Sequence, residues 1–158
     1  MASGKALFFL AAHVPGTSDP TCHMTLCLME LDMTLATAHL TPELEHDMRA
    51  LADDVLPLEI KLGDSAMFGK DKNIPVRHAS IPDAQKAARV DAFTCKYHKP
   101  PAAELAFRGS KPTLHVSVQR MAAEEAARLT TVVATTMGLG KVGDKGKMIW
   151  TSGTDATS

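Results

Sequence analysis

Apolar and polar positions alternate along several stretches of this chain, and two of them set a histidine beside a hydroxyl. In Thr113–Arg120, Leu114, Val116 and Val118 alternate with His115, Ser117 and Gln119. Cys22–Leu28 repeats the pattern, with Met24, Leu26 and Leu28 set against His23 and Thr25. On a strand, side chains two apart share a face and stand about 7 Å from each other. Each stretch is therefore expected to bury its aliphatic side and present an imidazole next to a hydroxyl.

The rest of the chain supplies the frame. Ala6 to His13 is a continuous apolar run, expected to be a strand buried on both sides, and Pro15 to Pro20 is turn chemistry. Asp32 to Leu40 fits either a loop or a short strand. Thr41-Pro42 starts a helix, with Thr41 as cap and Leu44, Met48, Leu51 and Val55 recurring on one face. Leu58 to Leu62 alternates as a half-buried strand, Gly63-Asp64-Ser65 marks a turn or bulge, and Val76 to Ile81 returns as the second arm of a hairpin. A second helix begins near Pro82-Asp83, carries Ala84, Ala87, Val90, Phe93 and Tyr97 on its apolar face, and ends by Pro100-Pro101. The second histidine strand follows within Phe107–Arg120. A third helix is expected over Ala122 to Thr136 with Gly138 as its stop, then a last short strand from Lys147 to Thr151.

That order predicts an α+β protein: residues 1–158 as a single domain of two pseudo-symmetric lobes, each mainly antiparallel β-sheet with helices packed outside, and a cleft between the lobes. Each lobe would contribute one histidine strand.

Composition narrows the function. The chain has 158 residues, and its 17 Lys plus Arg nearly balance 18 Asp plus Glu. No global field then draws it to duplex DNA or to a membrane surface. Aromatic residues make up 4%, too few for a broad base-stacking platform. The cysteines Cys22, Cys27 and Cys95 form no even framework and no Cys-x-x-Cys pair, so a reduced, cytoplasmic setting is expected. No stretch approaches the ~20 apolar residues of a membrane span. Lys5 followed by Ala6–Ala12 reads as a core strand rather than a secretory leader.

Histidine two places before Ser or Thr occurs four times: at His23, His39, His78 and His115. Thr41 is better used as a helix cap, and Ser80 sits at a strand end. Only His23 and His115 lie in runs whose alternation extends to both sides. Alternation alone is also what an ordinary solvated strand face produces. Gly138-Leu139-Gly140-Lys141-Val142-Gly143 matches a dinucleotide fingerprint by letter but lacks the strand before and the helix after, and reads as a flexible basic loop. His13, His46 and His98 read as surface residues, and Cys22 as core.

What distinguishes the two histidine strands is their setting. Leu7–Leu10 precedes His23-Met24-Thr25-Leu26; Pro42-Glu43-Leu44 opens a helix; Leu58–Leu62 leads to Phe68-Gly69; and Lys111 to Arg120 carries the second motif. In this order of parts, from about Leu7 to Arg120, the chain resembles the two-histidine phosphoesterases, the superfamily that includes the LigT-type RNA ligase/phosphodiesterases. It departs from them in a short connection before His23 and in Thr113-Leu114 standing between Pro112 and His115.

The resemblance implies His23 and His115 as the catalytic pair, one the base and the other the acid in either order, and Thr25 and Ser117 as donors to the phosphate oxygens. Histidine, with an unperturbed pKa near ~6.5, can serve either role around neutral pH. The implied activity is phosphodiester hydrolysis by a monomer that uses no cofactor and no metal. Its substrates would be small nucleotides or RNA ends: 2′,3′-cyclic phosphates, 2′–5′ linkages or cyclic oligonucleotides. The alternative is a nucleotide- or RNA-binding module that keeps the cleft without turnover.

Overall fold

The computed structural model describes residues 4–34, 37–38, 40–68, 73–98, 114–144 and 147–153. In chain order they form β1 (Lys5–His13), β2 (His23–Thr34), β3 (Thr37–Ala38), α1 (Pro42–Val55), β4 (Leu58–Phe68), β5 (Ile74–Ser80), α2 (Ala84–Tyr97), β6 (His115–Ser117), α3 (Ala123–Arg128), β7 (Thr131–Ala134), β8 (Thr136–Lys141) and β9 (Met148–Gly153). The architecture is α+β. Eight strands make one curled sheet in the order β7-β4-β5-β6-β2-β1-β8-β9, and β3 pairs with the far end of β2. Every neighbouring pair in that order is antiparallel.

One face of the sheet is the core. Phe8, Leu10 and Ala12 of β1, Met24 and Met29 of β2, Ile60 of β4, Val116 of β6 and Leu139 of β8 are all buried in one cluster. Leu44, Met48, Leu51 and Val55 of α1 and Val90 and Phe93 of α2 complete it. Each fully buried aliphatic side chain of this size contributes about 1.5–3 kcal/mol relative to exposure. The apolar periodicity read for both helices is the face that packs here. Thr41 caps α1 by accepting from Leu44 N at 3.1 Å, and Asp83 caps α2 by accepting from the backbone of Gln85 and Lys86. Such caps are each worth about 1 kcal/mol.

Where β2 runs beyond its contact with β6, α2 supplies polar partners. Thr94 Oγ1 donates to Leu26 O at 3.3 Å, and Leu28 N–H donates to His98 Nδ1 at 3.3 Å. His98 is therefore a buried core group and not a surface residue, and burial lowers its pKa. His46 is exposed, and Cys22 is buried beneath the sheet.

Other expectations need correction. The third helix stops at Arg128 instead of reaching Thr136, because Thr130 to Val133 is a β-branched run and Thr131 to Ala134 pairs with β4 from Lys61 to Leu58. Gly138 is no helix stop, and Gly138–Lys141 is no flexible loop: both lie in β8, an inner strand whose Gly138, Leu139 and Gly140 are buried between β1 and β9. The strand carrying His115 is three residues long, with Gln119 and Arg120 in a turn; Phe107 to Thr113, and Lys111 with them, lie outside the described residues. His39 also lies outside them. β1 is buried on its core side and half-buried at Leu7, Phe9 and His13 on the other.

No helix among the described residues is long and apolar enough to cross a membrane.

Candidate functional site

The two histidine strands are adjacent in the sheet. Among the described residues one register pair joins β2 to β6, Met24 opposite Val116, and both side chains are fully buried. Continuing this antiparallel register by one residue each way sets His23 opposite Ser117 and Thr25 opposite His115. Cys22 Sγ lies 4.0 Å from Ser117 O, which fits that alignment. Because side chains alternate, all four point away from the core, and all four are half-buried. Directly opposed side chains in such a pair have Cβ atoms roughly 4.5–5.5 Å apart and diagonal ones about 7–8 Å. The two imidazoles thus occupy one diagonal of a small quadrilateral and the two hydroxyls the other.

Two more histidines flank this group. His13 on β1 is opposite His23, and His78 on β5 is opposite His115. Four neighbouring strands therefore carry a histidine on one face. His13 Nε2 lies 3.2 Å from Pro20 O, so this residue is tied to the β1–β2 connection rather than standing free on the surface.

The ring of His23 is held from two sides. Its Nδ1 is 2.9 Å from Thr21 O. A carbonyl can only accept, so Nδ1 carries the hydrogen, and in the neutral ring Nε2 is left with its lone pair directed elsewhere. Phe9 stacks on the same ring, with centroids 4.9 Å apart and planes at 19°. Gly140, opposite Phe9 on β8, makes room for the phenyl: a Cβ there would fall 2.9 Å from Phe9 Cζ and 2.8 Å from Lys147 O.

Thr21 is fixed in turn by Asp19, whose Oδ1 accepts from Thr21 N at 2.9 Å and from Thr21 Oγ1 at 2.7 Å. Burial pushes the Asp19 carboxyl up. The two Thr21 hydrogen bonds, with the nearby charges of Arg120 and His23, outweigh it and hold the group below the usual carboxylate range. Burial raises the thiol of Cys22 to about 11 and that of Cys27 to about 12, so both stay protonated and behave as core.

His115 also has an aromatic neighbour. The Phe68 ring, at the end of β4, lies 4.2 Å from it centroid to centroid, tilted by 32°, and remains 48% exposed. Across the two halves of the sheet, Ser18 of the β1–β2 loop donates its N–H and hydroxyl to the Glu125 carboxylate on α3.

All four site residues expected from sequence meet on one face. Phe9, Asp19, Thr21 and Gly140 were missed. Phe9 was hidden in a run without alternation, whereas Asp19-Pro20-Thr21 just before His23 is a readable Asx-type turn. Among the described residues no group of three or more His, Cys, Asp and Glu side chains is arranged to hold a metal ion. In comparisons with known proteins, no family model matches the chain and no curated protein matches it.

Proposed function

We propose that this protein is a phosphodiesterase of the two-histidine kind, hydrolysing a nucleotide or RNA phosphodiester without a metal. The observation that carries the reading is the register of Met24 against Val116, because it accounts for two imidazoles and two hydroxyls converging on one small area. In this reading β2-β1-β8-β9 and β7-β4-β5-β6 act as two pseudo-symmetric lobes. The scissile phosphate lies in a cleft over the strand pair where they meet.

The chemistry then divides among four side chains. One histidine takes the proton of the attacking water as its oxygen bonds to phosphorus. The other, on the opposite diagonal corner, protonates the departing oxygen as its bond to phosphorus breaks. Thr25 and Ser117 donate to the non-bridging oxygens, where negative charge builds in the transition state. A pure binding site would need the hydroxyls but not two proton-transfer groups set across from each other. Substrates fitting the reading are 2′,3′-cyclic phosphates, 2′–5′ linkages and cyclic oligonucleotides, handled in the cytoplasm by a monomer.

The test is turnover in EDTA against 2′,3′-cyclic nucleotides, 2′–5′ oligoadenylate, RNA with free or cyclic 3′ ends, and cyclic dinucleotides. Hydrolysis of one class, unaffected by chelator, is the expected result. Activity that disappears with EDTA and returns with zinc or manganese would overturn the metal-free mechanism. Tight binding without hydrolysis of any class would favour the binding module.

A further inference from the structure

Asp19 is a carboxylate 8% exposed on the connection between β1 and β2, and it takes part in none of the ion pairs among the described residues. Burying such a group is costly unless its lone pairs are used. Here one oxygen takes both the N–H and the hydroxyl of Thr21. The backbone on either side is tied down as well: Thr17 Oγ1 donates to Asp19 O at 2.9 Å, and Asp19 N–H donates back to Thr17 Oγ1 at 3.2 Å. The connection is also gripped from the other half of the sheet. Arg77 of β5 donates to Ala126 O and so anchors α3, and α3 presents Glu125 to Ser18. Of these bonds, the two from Asp19 fix Thr21, whose carbonyl accepts from His23 Nδ1.

We infer that Asp19 is a positioning residue for His23: by fixing Thr21 it presents a carbonyl that selects the Nδ1–H tautomer and aims Nε2 over the site. This rests on the proposed role of His23 for its effect on turnover, but the tautomer itself is independent of any activity. The role is geometric, since the Thr21 bonds need an acceptor oxygen and not a charge. The groups that act on the carboxylate are Thr21 on its own loop, Cys22 and His23 where β2 begins, and Arg120 after β6. An asparagine keeps the acceptor and drops the charge; an alanine drops both.

The experiment is nitrogen-15 NMR of the imidazoles in the substrate-free protein, at a pH where they are neutral, alongside kcat and KM. Wild type and Asp19→Asn should both show His23 as one tautomer, Nδ1–H. Asp19→Ala should show a mixture, with kcat reduced about tenfold and KM unchanged, because misaiming a proton-transfer group slows chemistry more than binding. If Asp19→Ala does not fold, Thr21→Val deletes the hydroxyl bond, keeps the backbone one, and should move the same signals by less. A folded Asp19→Ala with the wild-type tautomer would overturn the inference, as would an Asp19→Asn as impaired as the alanine. A wild type inactive on every diester, yet showing the Asp19-dependent tautomer, would sink the proposed reaction and leave the positioning role standing.

Discussion

The two histidine strands carry the same short motif but are built differently. β2 is twelve residues long and pairs with β1 from His23 to Asp32, whereas β6 is three residues long, wedged between β2 and β5. His23 is fixed by a loop carbonyl and by a half-buried phenyl from its own neighbouring strand. The phenyl beside His115 comes from the end of β4 and is nearly half exposed. One imidazole is thus held by a loop and a neighbouring strand of its own half of the sheet, and the other is bordered by a ring open to solvent. Similar motifs sit in different surroundings: a loop carbonyl and a half-buried phenyl hold the β2 histidine, and a half-exposed phenyl borders the β6 histidine. Under the proposed reaction, the β6 side would be the one that meets a substrate base.

The comparison can be broken most severely at the histidines themselves. His23→Ala and His115→Ala should each lower turnover by about 10²–10⁴, the usual contribution of a general acid or base. Wild-type rates in either variant would remove that strand from the reaction. Thr25→Val and Ser117→Ala should follow at about 10²–10³, read in kcat, if both donate to the developing charge. An asymmetric result, one severe and one silent, would show that a single half grips the phosphate.

Gly140→Ala tests how His23 is held. The new methyl overlaps the Phe9 ring and the Lys147 carbonyl, so the variant should lose about 1–3 kcal/mol in denaturant unfolding and displace Phe9 from His23. Phe68→Ala, at an exposed position, should leave stability within about 0.5 kcal/mol. Equal losses in the two variants would contradict the distinction drawn between the halves.

The smallest effect concerns His98, which accepts from Leu28 N–H and must be neutral to do so. Burial lowers its folded-state pKa below the unfolded value of about 6.5. Its contribution is therefore complete above that value and is lost progressively as pH falls from there through the lowered folded value. Thermal unfolding followed between pH 7.5 and 5 should show a decline that His98→Gln flattens.

Much of this arrangement is legible in the chain because it is local. The periods of α1 and α2, their caps at Thr41 and Asp83, and the alternation around His23 and His115 all act within a few residues. The errors arose where distant pairing overrode local signals. Thr131–Ala134 pairs with β4 and so leaves the helical pattern, and the glycines of β8 mark close packing against β1 and β9 rather than a loop. The register of Met24 against Val116 joins residues far apart in sequence and depends on both halves being folded. No local pattern encodes it, and it decides whether the four polar groups meet.

The central claim is that two histidines, one on each strand, act together as base and acid on a single phosphorus. Its most direct test is the pH dependence of single-turnover hydrolysis, where product release does not limit the rate, in wild type and in each histidine variant. The account predicts a bell whose limbs belong to the coupled pair. His23→Ala and His115→Ala should each lose one limb, and a leaving group stable as an anion should partly rescue only the variant lacking the acid. A wild-type rate that climbs steadily through pH 9 without a descending limb would contradict it, and would point to hydroxide attack at a site where the histidines only bind phosphate.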